Sequence, residues 1–309
     1  MDVDLAEIVK EAFDATATTF VDLVDNVTVL LAGEVGAVGG FQVLGKLAMH
    51  EPLGRGLIVG DLHGDIESLV DILRDSKYLD EMCRGTDAVM IFLGDYGDRG
   101  ANSAEVYYAV LKIKQLFRKQ VVLMRGNHEG PDDIPVYPYD LPAHFKTRFG
   151  EDWGEAHAKI RGIFPHLYNA VFIKERYLMI HGGLAPDMHS LDDLAYANET
   201  GDKTRFLEDM LWSDPDENAA DVTPSPRGAG YLFSKKVTEE VLARFGAQVL
   251  IRGHESCDEG FRINHDGKVL TLFSRKGSPY FNARGAYLLV DFSRRVESAW
   301  DLVPYLHKF

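Results

Sequence analysis

Cysteine is nearly absent, with two residues in a chain of 309, Cys83 and Cys257. A disulfide framework is therefore out of reach, and a reduced pair is expected. Neither has a second cysteine two or three positions away, which argues against a thiolate zinc site. Long apolar runs are missing too; a membrane span needs 18 or more such residues, and no run approaches that. The chain opens on Met1-Asp2-Val3-Asp4, without the basic region of a secretory leader, so a cytoplasmic location is expected. Positive charge is also short. Lys and Arg number 33 against 48 Asp and Glu, a net charge of −15. That balance argues against nucleic acid, whose phosphate backbone asks for a positive face.

What is present reads as one large domain of α/β type. Residues 1–50 are expected as a mainly helical segment packed on the core, with residues 51–309 forming the body of the domain. Leu5, Ile8, Val9, Phe13, Phe20, Leu23, Val24 and Val27 recur at the spacing of one buried helical stripe. Val35 to Gln42, with Gly36, Gly39 and Gly40, reads as a bend or strand. From Gly56 a rhythm sets in. Leu57 to Val59, Ala88 to Leu93 and Val121 to Met124 are short, β-branched apolar runs of the kind that form buried strands. Helical patterns lie between them: Ile66 to Arg74, with Asp65 as its cap, and a segment carrying Val106, Val110, Ile113 and Phe117. Further strands are expected at Tyr177 to Ile180, Gln248 to Ile251, Val269 to Phe273 and Ala286 to Phe292. Asp214 to Gly230, polar and proline-bearing, reads as a loop.

Each apolar run ends in a polar cluster: GDLHGD, GDYGDRG and GNHEG, then His181-Gly182-Gly183 and Arg252-Gly253-His254. A lone histidine after a strand is ordinarily a surface or satisfied core residue. Five successive strand ends bearing a carboxylate, imidazole or amide are a different matter. Asp61 and His63, two apart on an extended backbone, would point to one side. With Asp95, Asn127, His181 and His254 they make six oxygen and nitrogen donors. Such donors suit Mn²⁺ first, with Fe or Zn²⁺ as alternatives. Six are too many for a single open catalytic ion, but fit two ions bridged by a carboxylate, for which Asp95 is placed centrally. Two divalent ions bring four positive charges; Asp61, Asp95 and a bridging hydroxide remove three. The site stays positive inside an acidic protein, as a phosphate ester would require. Arg99 can grip two phosphate oxygens with its planar fork, and Arg227 is a second candidate. His128 is placed to protonate a departing alkoxide, with Asp98 or Glu129 as the carboxylate that keeps it charged; position favours Asp98.

In this order the clusters resemble the phosphoprotein phosphatases, the metal-dependent serine/threonine phosphatase family. GDLHGD, GDYGDRG and GNHE are similar to its first three signatures; HGGL (His181 to Leu184), MLWSDP (Met210 to Pro215), Arg227-Gly228 and RGHE (Arg252 to Glu255) follow in family order. The likeness runs over roughly residues 55–292, and such an ordered set is far more specific than any one motif. The resemblance implies a calcineurin-like metallophosphoesterase fold, a central β-sandwich of mixed sheets flanked by helices. It implies Asp61, His63 and Asp95 around one metal, and Asp95, Asn127, His181 and His254 around the other. Arg99 and Arg227 match the phosphate clamps, and His128 with Asp98 the general acid. The function implied is hydrolysis of phosphoserine and phosphothreonine in phosphoprotein substrates by a metal-bridging hydroxide. The segment GNHEGPDDIPVYPYDLPAHF resembles archaeal and bacterial-type members more than the eukaryotic core enzymes.

Two departures from the pattern stand out. FSRKGSPY, Phe273 to Tyr280, corresponds to the family's SAPNY loop but is two residues longer, and Phe281 stands where a cysteine often follows. Tyr280 is the substrate-side candidate in that loop. Gly97 replaces a usually larger residue, which implies a local packing change. Two rival readings are a hydrolase of dinucleoside tetraphosphates or another small phosphoester, and a non-catalytic scaffold. GNHE with its glutamate and the WSDP segment favour the protein phosphatase branch over the first. The full set of ligands, arginines and His128 argues against the second.

Overall fold

The computed structural model describes residues 3–85, 87–197 and 204–309. Among these, two mixed sheets face one another. The smaller has the spatial order Leu306–Lys308, Ala286–Asp291, Arg55–Val59, Ala88–Phe92 and Val121–Leu123. Its last three strands are parallel, with Val59 opposite Phe92 and Phe92 opposite Leu123. Their carboxyl ends therefore lie side by side. The larger sheet runs Gly36–Val38, Phe41–Leu44, Leu47–His50, Ala170–Ile173, Tyr177–Ile180, Val249–Arg252, Val269–Leu272 and Phe261–Asn264. Within it Tyr177–Ile180 and Val249–Arg252 are parallel, so two more carboxyl ends are neighbours.

Alternation sorts the larger sheet's side chains. Val171, Ile173, Tyr177, Met179, Val249, Ile251, Leu270 and Leu272 enter the same core as Leu57, Ile58, Met90 and Ile91 of the smaller sheet. Their neighbours Ala170, Phe172, Leu178, Ile180, Leu250 and Val269 enter a second core with Val237 and Val241 of the helix Lys235–Phe245. A period of two thus places one face against the partner sheet and the other against helix. At the edge where loops meet, parallel bridges pair Asp61 with Phe273 and Met124 with Tyr168. The Ser274 hydroxyl accepts from Gly60 N at 2.7 Å. The two sheets are stitched at the site itself.

The amino-terminal segment differs in part from the sequence expectation. It holds two helices, Leu5–Asp14 and Ala17–Ala32, rather than one stripe. Ala15 is extended (φ −57°, ψ 128°) and Thr16 caps the second helix, a hydroxyl competing locally with helix continuation. Phe13, on the outer side of the first helix, is 48% exposed. Helical structure ends at Ala32, and residues 36–50 form three strands of the larger sheet. Asp214–Gly230 also departs from a plain loop. Asp214–Pro215 and Val222–Pro224 flank Tyr231–Phe233 in a small third sheet. These strands are two or three residues long, too short for side-chain periodicity to reveal. The helices Ile66–Ser76 and Ser103–Leu116 stand where the apolar spacing places them, the first capped by Asp65 accepting from Ser68 N.

Candidate functional site

All six donor residues converge. Asp61 and His63 follow Arg55–Val59, Asp95 follows Ala88–Phe92, Asn127 follows Val121–Leu123, His181 follows Tyr177–Ile180 and His254 follows Val249–Arg252. Asp95 is the common point: its Oδ2 lies 3.4 Å from His63 Nε2 and 3.5 Å from His181 Nε2. His63 Nε2 is 3.7 Å from Asp61 Oδ2. Asn127 Oδ1 lies 3.1 Å from His181 Nε2 and 2.9 Å from His254 Nδ1. Asp61 and His63 do not meet by extended alternation, as the sequence implied. His63 has φ +42°, and the tight turn folds its ring back toward Asp61.

Two glycines make room for the carboxylates. A Cβ at position 126 would stand 2.1 Å from Asp95 Oδ1, and one at 253 would stand 2.3 Å from Asp61 Oδ1. Only glycine lets the backbone pass that close. The Gly-Asn and Gly-His pairs of the motifs are thus paired requirements, a donor and the space behind it. Asp61 also accepts His254 N at 3.0 Å, and Asp95 accepts His128 N at 3.0 Å.

The imidazoles are fixed by carbonyl groups. His63 Nδ1 donates to Gly97 O at 3.2 Å and His181 Nδ1 to Leu93 O at 2.9 Å. A carbonyl only accepts, so Nδ1 carries a proton in both rings, and in the neutral form the Nε2 lone pair faces the cluster. Without cations the electrostatics are crowded. Burial, then the charge of Asp95, pushes the Asp61 carboxyl up to about 7. Burial drives His63 down to about 3. His181 goes the other way, to about 9, because Asp95 and Asp61 outweigh its burial. Two buried carboxylates side by side need positive charge, and divalent cations answer that need more fully than one proton on His181. His63, Asp95 and His128 form one group with ligand atoms within 4.8 Å of each other; Asp95, His181 and His254 form another. The donor set fits two sites sharing Asp95.

Around this centre stand the other candidates. His128 Nδ1 is 2.7 Å from Asp98 Oδ2. Burial opposes charge on His128, yet Asp95 and Asp98 prevail and raise its pKa. Asp98 also accepts Asp140 N at 2.6 Å, which ties it to the segment after the third motif. Glu129, the alternative partner, is engaged elsewhere. It accepts Asp95 N at 2.8 Å, Tyr96 N, Gly126 N and the Tyr107 hydroxyl. Arg99 donates from Nη2 to Tyr137 O at 3.2 Å, and its Nε lies 4.0 Å from Asp98 Oδ2. Arg227 is tied through Nε to Asp214 Oδ2 at 2.6 Å. Tyr280 stacks on the His63 ring, centroids 5.2 Å apart at 28°. Burial, reinforced by Asp95 and Asp61, holds its hydroxyl protonated far above the usual phenol range. At Gly97 the missing side chain is replaced by the Tyr107 ring, 2.4 Å from where a Cβ would be.

One residue escaped the sequence reading. Arg252 is fully buried, donating to Asp214 Oδ1 at 2.8 Å, to Glu255 Oε2 at 2.6 Å and to Gly182 O at 2.6 Å. Asp214 thereby joins Arg252 and Arg227, and its Oδ1 stands 3.9 Å from His254 Nε2. The available signal was an arginine closing the apolar run Val249-Leu250-Ile251 immediately before Gly253.

Residues 55–258 match the family model described as calcineurin-like phosphoesterase. The fold and the cluster of donors define that class, enzymes that cut phosphoesters with divalent metal ions. Within it the chain belongs to the serine/threonine-protein phosphatases, the phosphoprotein phosphatase family of phosphoric monoester hydrolases. It is 32% identical over 252 residues to the serine/threonine-protein phosphatase 6 catalytic subunit of Caenorhabditis elegans, covering 80% of this chain and 72% of that protein. It is 35% identical over 243 residues to a probable serine/threonine-protein phosphatase of Encephalitozoon cuniculi. That match takes in 78% of this chain but 51% of the relative, so the chain spans about half of that protein's length. In fold it is similar to a Saccharomyces cerevisiae protein serine/threonine phosphatase with similarity to human phosphatase PP5. The TM-score is 0.72 at 23% identity, over 93% of this chain and 89% of that one.

Proposed function

We propose that the chain removes phosphate from phosphoserine and phosphothreonine in protein substrates, using two divalent ions. Asp61, His63 and Asp95 would hold one, and Asp95, Asn127, His181 and His254 the other; Mn²⁺ is the first candidate, Fe and Zn²⁺ the alternatives. The observation that carries this reading is the position of Asp95 Oδ2, within 3.5 Å of imidazoles from both sheets. Held there, such ions would supply Lewis acidity to the phosphoryl group and lower the pKa of a bound water toward neutrality. The chain's own residues do the remainder. The forked guanidinium groups of Arg99 and Arg227 bind phosphoryl oxygens, with the Tyr280 hydroxyl as a third donor. His128, kept protonated by Asp98, delivers a proton to the departing serine or threonine oxygen. Cys83 and Cys257 take no part. A cytoplasmic site of action is supported by the two unpaired thiols. Among the described residues no helix is long and apolar enough to cross a membrane.

The proximity of His128 to His63 and Asp95 favours one competing assignment, in which His128 is itself a ligand. Its 2.7 Å bond to Asp98 supports the acid role instead. Metal content of His128→Asn separates the two: retention supports the acid, loss the ligand. Substrate class is tested by turnover of a phosphoserine peptide against a dinucleoside tetraphosphate, with and without a chelator. Chelator-sensitive hydrolysis of the peptide is expected. Preference for the dinucleotide would move the chain to the small-phosphoester reading.

A further inference from the structure

The loop that departs most from the family pattern, Ser274 to Asn282, is tightly built. Gly277 N donates to Asn282 O at 3.2 Å and Phe281 N to Gly277 O at 2.7 Å, closing a small hairpin. Asn282 Nδ2 donates to Arg275 O at 2.7 Å and Arg284 O at 2.8 Å. Inside this hairpin lies Arg275, 4% exposed. Its Nη1 donates to the His63 carbonyl at 2.9 Å, and its Nη2 to the Ser278 carbonyl. The guanidinium carbon sits 5.3 Å from the centroid of the Tyr280 ring. His63, stacked at 5.2 Å, and Phe273, edge-on at 5.0 Å, also pack against that ring.

Burying an arginine without a carboxylate directly bonded to it is costly, and such a charge is kept where its fork fixes geometry. Here the fork bridges two backbone segments, the first motif and the long loop, while its central carbon lies over the tyrosine ring. We propose that Arg275 is a positioning residue: it holds the Tyr280 ring against His63 so that the hydroxyl is presented to the phosphoryl group. The inference rests on the reading of the site given above, with Tyr280 on the substrate side.

A residue acting through Tyr280 must lose its effect when Tyr280 is gone. The test is a double-mutant cycle of Arg275→Ala and Tyr280→Ala, read as kcat/KM on p-nitrophenyl phosphate with saturating Mn²⁺, alongside bound-metal stoichiometry. In the native background Arg275→Ala is expected to lower kcat/KM by about 10- to 100-fold, the scale of lost alignment. In the Tyr280→Ala background it is expected to change kcat/KM by less than about twofold, since the coupling is then spent. Metal content stays at the native value throughout. Equal losses in both backgrounds, or loss of metal from Arg275→Ala, would overturn the proposal, the latter by showing that Arg275 acts through His63. If Arg275→Ala does not fold, Arg275→Lys, which keeps the cation but not the fork, carries the same cycle with the same criteria. Native protein that binds metal and hydrolyses nothing would instead sink the reading of the site, a separate outcome.

Discussion

Loops after Arg55–Val59, Ala88–Phe92 and Val121–Leu123 bring Asp61, His63, Asp95, Asn127 and His128, whereas loops after Tyr177–Ile180 and Val249–Arg252 bring only His181 and His254. The two halves reach one point by different means. The smaller sheet's half relies on backbone: His63, Asp95, Asp98 and Arg99 all hold positive φ, from +42° to +68°. Non-glycine residues rarely adopt that region, and clusters of them mark functional sites. Of the two donors from the larger sheet, His254 at +72° is the one with such a backbone. That half relies instead on the buried charges of Arg252 and Asp214, with half-buried Glu255 as a further partner. Contorted backbone places the candidate donors on one side, and a salt-bridged side-chain network lies beside His254 on the other.

Substitutions sharpen that contrast. Asp95 serves both halves, so Asp95→Asn is expected to empty both metal positions, with turnover falling by more than the roughly 10²–10⁴-fold worth of a single general acid. Metal analysis beside a phosphopeptide assay checks it; a variant that keeps both ions and most activity would break the picture of a shared ligand. His128→Asn touches only the first half. A loss of about 10²–10⁴-fold in turnover with metal content intact is expected there.

Arg252→Met probes the second half, where the expected effect is on folding. Removing Arg252 leaves Asp214 with Arg227 and Glu255 with Arg262, so the cost is expected at the lower end for a buried pair broken on one side, about 3 kcal/mol. Urea unfolding measures it; stability within about 0.5 kcal/mol of native would show that the network braces nothing. Farthest from the chemistry, Arg148 donates to Ala12 O, Phe13 O, Ala15 O and Glu105, pinning the end of the first helix. Arg148→Ala is expected to cost about 1.5–3 kcal/mol, the usual range for hydrogen bonds to a charged group, with activity per folded molecule unchanged.

The same contrast explains what could be read in advance. The first half was legible because its donors sit in contiguous clusters, each just after an apolar run, and the Asp98–His128 pair follows from position. His181 and His254 were legible only through their strands. The Arg252–Asp214–Arg227 network was not, since its members are far apart in sequence and a pair formed by tertiary contact leaves no periodic trace. Glu129 illustrates a related limit. Its place beside His128 made it a candidate partner, but the turn geometry aims its carboxylate at the amides of Asp95, Tyr96 and Gly126 instead. Val35 to Gln42 reads as a bend or strand in the sequence, but Val43 to His50 falls within the mainly helical expectation because strands of three or four residues are too short for periodicity to reveal.

The shared-carboxylate site is tested most directly by adding Mn²⁺ back to chelated protein while following bound metal and hydrolysis of a phosphoserine peptide together. Two ions per chain are predicted, with turnover rising as the second position fills. Full turnover at one ion or none would contradict a centre built on Asp95 between two metals.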